Sequence, residues 1–276
     1  VAAAFFTNSL NGYTSTLDPE GVQVDRRIFE CSLLARGFNQ AWCTALSAEY
    51  DYFVMLHADI VPQPGWLEKL IELIETTSYR MISAVVPLKS PLGITSTGVG
   101  FLDNWYGIRK RLTMQEVFRL PETFDITHLY AAGILPPAEN PAVEDVLLVN
   151  TGCFIANLTA SYAFHTLDGD GALIHHFRIE DRVLVRSAQE VWKETRLRGV
   201  PMETIANSQD SRQQYLVETI PEDWGFSRTM AAYNIPYAAT RAVRVNHLGT
   251  TSFHNFAPWG VEREFDPVPN QLVVAK

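Results

Sequence analysis

Over the first 90 positions, short apolar runs alternate with stretches of helical period. Val1 to Phe6 is apolar and gives way to Thr7-Asn8-Ser9, which predicts a first strand with a polar tip. Asn11-Gly12 and Asp18-Pro19 mark a loop after it. Between 25 and 48, Ile28, Leu33, Leu34, Phe38, Trp42, Ala45 and Leu46 recur at spacings of three and four. That spacing predicts a helix, weakened or divided at Gly37. Phe53 to Leu56 is apolar without a break, as in a strand buried on both faces. Trp66, Leu67, Leu70, Ile71, Leu73 and Ile74 make one face of a second helix, with Glu68, Lys69, Glu72 and Glu75 on the other. Met81 to Pro87 is a third strand. This order predicts an α/β fold, with a mixed, mostly parallel central sheet and helices on both faces.

The periodicity fades beyond residue 90. Gly98 to Phe101 reads as a short strand and 105–111 as mixed. Residues 120–145 carry Pro121, Pro136, Pro137 and Pro141 without clear period, as a substrate-side loop or lid does. Asp145 to Ala156 is strand-like. A helix is expected at about 180–198, another from Glu222 to Tyr233 behind Pro221, and a strand over Ile235 to Val245. The tail from 250 has little pattern.

Composition narrows the class. With 47% hydrophobic and 19% charged residues the chain is globular. Its net charge of −9 argues against a broad grip on nucleic acid and implies that a phosphate ligand needs a bridging cation. Cys31, Cys43 and Cys153 form no C-x-x-C pair, so neither a disulfide framework nor structural zinc is expected. Cys31 and Cys43 read as small core residues. No apolar run reaches membrane-span length. The N-terminus lacks signal-peptide order, and Val1 opens directly into a strand, as if preceding residues were trimmed. A cytoplasmic location is expected.

Three segments carry candidate chemistry. His57-Ala58-Asp59 follows the doubly buried strand, where ligands of open α/β sheets bind. An Asp there with a second oxygen or nitrogen ligand beside it can hold a divalent cation. Glu222-Asp223 opens a helix; capping and dipole compensation are the plain reading of that pair. His247 closes the strand that follows. His254 is a weaker ligand candidate. His175-His176 point apart in an extended segment and read as surface or acceptor-loop residues.

In their order and context these segments resemble the GT-A glycosyltransferases, in particular the large inverting family of cellulose-, chitin- and polysaccharide-forming transferases. The likeness covers 1–90 and 145–250. FVMLHADIVPQPGWLEKLIE resembles the family's metal-binding segment, with His57 in place of the first acid of Asp-x-Asp and Asp59 as the second. The resemblance implies a single catalytic domain over 1–276. Its nucleotide-binding half is 1–90, its acceptor-binding and catalytic half is 91–250 with an irregular acceptor-side insertion, and 251–276 is a tail. It implies donor contacts from Thr7, Asn8, Ser9, Arg36, Asn39, His57 and Asp59. Mn²⁺ or Mg²⁺ would lie on Asp59 and His247, with His57 a further candidate. Asp223 would be the catalytic base, with Glu222 second and Glu180-Asp181 a distant competitor. Asn150, Thr151 and Gly152 would lie under the transferred sugar, while Trp224 either stacks on the acceptor or belongs to the core.

The implied reaction is inverting transfer of a hexosyl or pentosyl group from a nucleotide-sugar, expected to be a UDP-sugar, to a saccharide or other hydroxyl acceptor. Three alternatives stand beside it. A phage-type transferase would act on hydroxylated DNA bases, with Arg109-Lys110-Arg111 and Arg196/Arg198 as a basic edge. A nucleotidyltransferase would want a glycine-rich basic loop, for which Asn11-Gly12 is a poor substitute. A sugar-nucleotide-binding protein with weakened catalysis is suggested by His57.

Overall fold

The computed structural model describes residues 2–7, 23–29, 31–48, 50–136, 145–159, 164–186, 214–249 and 251–260. In chain order the elements begin with β1 (Ala2–Thr7), β2 (Gln23–Ile28), α1 (Leu34–Ser47), β3 (Tyr52–Leu56), β4 (Ile60–Pro62), α2 (Trp66–Thr76) and β5 (Met81–Ala84). Next are β6 (Ile94–Phe101), β7 (Ile108–Thr113), α3 (Met114–Val117), β8 (Thr123–Phe124), α4 (Ile126–Ala131), β9 (Asp145–Leu148) and β10 (Cys153–Asn157). The last are β11 (Glu180–Arg186), β12 (Gln214–Ile220), α5 (Glu222–Ala232), β13 (Tyr237–Thr240), β14 (Val245–Leu248) and β15 (Ser252–His254).

Seven strands make one mixed sheet in the order β2-β1-β3-β10-β5-β13-β8. β1 is parallel to β2 and β3, and β13 to β5. β10 runs antiparallel between β3 and β5, and β8 antiparallel beside β13. The continuous apolar run of β3 is explained by its two faces, since successive strand residues point to opposite sides. Phe53 and Met55 enter the core with Phe38, Ala41 and Trp42 of α1 and Phe226 of α5. Tyr52, Val54 and Leu56 enter the core with Trp66, Leu67, Leu70 and Ile74 of α2. Helices therefore cover both faces, and the far end of β3 is left for polar residues.

Two smaller sheets frame that end. β4, β14 and β15 form one, in the order β15-β14-β4; β7, β6 and β9 form the other, in the order β7-β6-β9. Glu116 caps α3 reciprocally with Thr113 and also accepts from the buried Lys110.

Several expectations change. Residues 23–28 are a strand, and the helix starts only at Leu34; β2 is an edge strand whose partner, β1, decides its state. Gly37 does not divide the helix. It is buried where a Cβ would meet Cys31 Cβ at 3.0 Å. Cys31 and Cys43 are exposed rather than core residues, and Cys153 is buried. Residues 180–186 are a strand, not a helix start, because β11 pairs along its whole length with β12; the rest of the helix expected to 198 lies outside the described residues. The stretch 120–136 is not structureless, since it holds β8 and α4. His175 is fully buried rather than on the surface, edge-on to Phe164 and Tyr233. No helix among the described residues is long and apolar enough to cross a membrane.

Candidate functional site

The antiparallel pairing of β4 with β14 sets His247 opposite Ile60. Leu248 N donates to Asp59 O at 2.7 Å, so the backbone itself fixes the two candidate ligands side by side. His247 Nε2 lies 3.3 Å from Asp59 Oδ2, and His247 Nδ1 lies 2.7 Å from Pro87 O. A proline carbonyl can only accept, so Nδ1 carries the hydrogen. Nε2 faces the carboxylate oxygen, as a lone pair in the neutral ring and as a hydrogen-bond donor in the protonated one. Lys89 Nζ donates to that same Oδ2 at 2.6 Å. The hydrogen bond with His247, and then that with Lys89, hold the Asp59 carboxyl below the ordinary carboxylate range against the cost of partial burial.

His57 sits behind this pair. Its backbone N–H donates to Gly152 O at 2.7 Å, and its ring lies 5.0 Å from Phe38, centroid to centroid. Burial lowers its pKa to about 4, with Asp59 acting in the opposite sense and His247 adding to the fall. His57 Nε2 and Thr151 Oγ1 are buried without a hydrogen-bond partner, an uncommon state for buried polar atoms. Gly152 allows the close approach here. A Cβ on it would collide with Ile60 Cδ1 and come 3.4 Å from His57 Nδ1. Asn150 is committed to shaping this turn: its side-chain amide donates to Ala84 O at 2.8 Å and its Oδ1 accepts from Gly152 N at 2.8 Å.

The second cluster opens α5. Glu222 is buried and Asp223 partly so. Burial raises the carboxyl pKa of both; Glu222 raises Asp223 further, while Arg111 and the Trp224 N–H partly oppose this. Asp223 is a carboxyl that holds a proton into the neutral range, as general acid–base residues are tuned to do.

Two hydrogen-bond routes join the clusters. Ser227 Oγ accepts from Val149 N at 3.0 Å and donates to Asp223 O at 2.8 Å, so the α5 start is clamped next to Asn150–Gly152. On the other side, Trp224 Nε1 donates to Ser96 O at 3.1 Å, and Ser96 N donates to Val86 O at 2.9 Å. Val86 immediately precedes Pro87, the partner of His247.

The other expected site residues divide as follows. Trp224 belongs to the core, at 1% exposure, with Arg111 4.2 Å over its ring; acceptor stacking is closed to it because both packing and the guanidinium cover it. Asn39 donates to Phe177 O at 2.7 Å and accepts from Phe177 N at 2.8 Å, so its amide is spent on the chain rather than open to a nucleotide. Arg36 is exposed beside a groove of about 600 Å³ that Asn39, His176 and Arg178 also line. Thr7 ends β1 opposite Leu56; Asn8 and Ser9 lie outside the described residues. Glu180 pairs with Arg178, and Asp181 accepts from Thr219; both lie on β11, where the register sets Glu180 opposite Ile220, just before the start of α5. His254 lies on β15 opposite Asn246. Lys89 was not foreseen. It follows the carboxyl end of β5 just as Asp59 follows that of β3, so the strand-end rule applied to β5 would have found it.

Among the described residues no three His, Cys, Asp or Glu side chains converge on one point. The Asp59–His247 pair nevertheless has the chemistry of two ligands of a shared ion. One is a carboxylate; the other is an imidazole whose far nitrogen is fixed by a backbone carbonyl, as metal-bound histidines are. An ammonium already stands on the carboxylate as a stand-in cation.

No family model matches the chain, and no curated protein does. Among solved structures the chain is similar to the crystal structure of A197 from STIV, with 11% identity and a TM-score of 0.44 over 90% of this chain and 86% of that one.

Proposed function

We propose that the protein is an inverting glycosyltransferase of GT-A type that moves a sugar from a nucleoside-diphosphate donor, a UDP-sugar, to an acceptor hydroxyl. The observation that carries this reading is the facing pair Asp59 Oδ2 and His247 Nε2, 3.3 Å apart. It lies beyond the end of β3, and the hydrogen bonds of Trp224 to Ser96 and of Ser96 to Val86 tie it to the Asp223 carboxyl of raised pKa.

Asp59 and His247 would hold Mn²⁺ or Mg²⁺. When bound, the ion supplies positive charge to the leaving diphosphate. Asp223, in its deprotonated form, takes the proton of the acceptor hydroxyl. The acceptor oxygen bonds to the anomeric carbon from the face opposite the diphosphate, and the carbon–oxygen bond to the β-phosphate breaks with its electron pair on that oxygen. The products are the inverted glycoside, the nucleoside diphosphate and protonated Asp223. Glu222, buried beside it, raises the affinity of Asp223 for that proton. His57 Nε2 and Thr151 Oγ1 offer polar atoms to donor hydroxyls or phosphate oxygens, which would satisfy both.

Thermal shift against a panel of nucleotide-sugars, with Mn²⁺ and with chelator, tests the reading. A UDP-sugar is expected to raise Tm only when Mn²⁺ is present. No shift with any nucleotide-sugar in either condition would overturn it.

A further inference from the structure

Lys89 stands where the charge of a divalent ion would be felt. Its ammonium donates to Asp59 Oδ2, the oxygen that also faces His247 Nε2. Its stem rests on Gly249, where a Cβ would meet Lys89 Cδ at 3.1 Å and Cγ at 3.5 Å. The loop that carries it is tied down at both ends. Leu88 N donates to Ile94 O at 2.8 Å, and the backbones at Gly93 and Gly260 cross in direct contact. The base of the side chain is therefore placed, while its tip lies at the surface with the side chain 38% exposed.

We propose that Lys89 and the divalent ion compete for Asp59, and that Lys89 is a ligand of the donor diphosphate. The inference rests on the sugar-transfer reading. An ammonium and a divalent ion on one carboxylate oxygen repel each other strongly at contact distance, so Asp59 serves one at a time. An ion arriving alone must displace the ammonium, which then has no partner of equal charge. An ion arriving with a diphosphate brings that partner with it. The ammonium has three donor hydrogens and no acceptor, and it suits phosphate oxygens as a mobile point charge. Ion and nucleotide therefore assist each other's binding through Lys89, and by linkage the assistance is equal in both directions.

The test titrates Mn²⁺ into the protein, with and without UDP, and reads free ion by electron paramagnetic resonance. It compares the native protein with Lys89→Met, which keeps the stem and removes the charge, and with Asp59→Ala. The native protein is expected to bind Mn²⁺ weakly alone and about tenfold more tightly with UDP. Lys89→Met is expected to bind Mn²⁺ alone about tenfold more tightly than the native protein, and to gain less from UDP. Asp59→Ala should lose the site in both conditions. Equal Mn²⁺ affinity of Lys89→Met and native protein without UDP, while UDP binding stays Mn²⁺-dependent, overturns the competition and leaves the transferase reading intact. Absence of Mn²⁺-dependent UDP binding in every form overturns both.

Discussion

Nε2 of His247 and Oδ2 of Asp59 meet at 3.3 Å although 188 positions separate them in sequence. The meeting is made by backbone rather than by the side chains. β14 lies antiparallel on β4, and Leu248 N–H reaches the Asp59 carbonyl. The two groups are presented to each other before any ion or ligand is considered.

Asp223→Asn separates binding from chemistry. The amide keeps the volume and still accepts from the Trp224 N–H, which lies 2.8 Å from Oδ1 in the native protein. Donor binding by calorimetry is expected to be unchanged, and transfer to fall by about 10²–10⁴-fold. Unaltered turnover in this variant would remove Asp223 from the reaction.

The pH dependence of both rate and stability follows from the raised carboxyls of Glu222 and Asp223. Base catalysis needs the deprotonated form, so kcat/KM is expected to rise with pH through an apparent pKa well above about 4, the ordinary carboxylate value. Stability runs the other way. Over the interval between the unfolded and folded pKa values, the folded state holds protons that the unfolded chain releases, so stability falls as pH rises. Thermal denaturation from pH 5 to 8 should show this slope, reduced in Asp223→Asn; an unchanged slope would assign it to other groups.

Trp224 is expected to act through packing. Trp224→Phe leaves Ser96 O without its donor and should cost about 0.5–1.5 kcal/mol by chemical denaturation. Trp224→Ala should cost about 3–5 kcal/mol. Because the ring is covered, Trp224→Phe should leave the acceptor KM unchanged. A raised KM with unchanged stability would place the indole against the acceptor after all.

Gly93 has φ +71°, and a Cβ there would strike the backbone of Trp259 and Gly260. Backbone cannot yield as a side-chain tip does. Gly93→Ala is expected to cost about 1–3 kcal/mol, and to disturb the loop that bears Lys89. Equal denaturation midpoints for variant and parent would show that this crossing is loose.

What could be read in the sequence was what short-range pattern determines. β3 announced itself because both of its faces are buried, and α2 because one of its faces is. The strand-end position of Asp59 came from the same logic, and the pairing with His247 from a resemblance in motif order. β2 escaped because QVDRRI has no alternation and is a strand only through its bonds to β1. β11 escaped because its partner starts at Gln214, too far along the chain for local periodicity to register. The role of Asn39 escaped, and that of Trp224 stayed open between acceptor and core, for a related reason. An amide or an indole is read as a ligand group until it is known what lies against it, and here Phe177 and Arg111 occupy them.

The lamination of β14 onto β4 also gives the site a history. During synthesis the acid at 59 is made long before the imidazole at 247, and strands so far apart in sequence close late. A nascent or truncated chain that stops short of β14 carries only half of the facing pair. Capture of an ion by that pair would thereby be reserved for a chain whose last strands have docked, and ion binding would become a readout of completed folding.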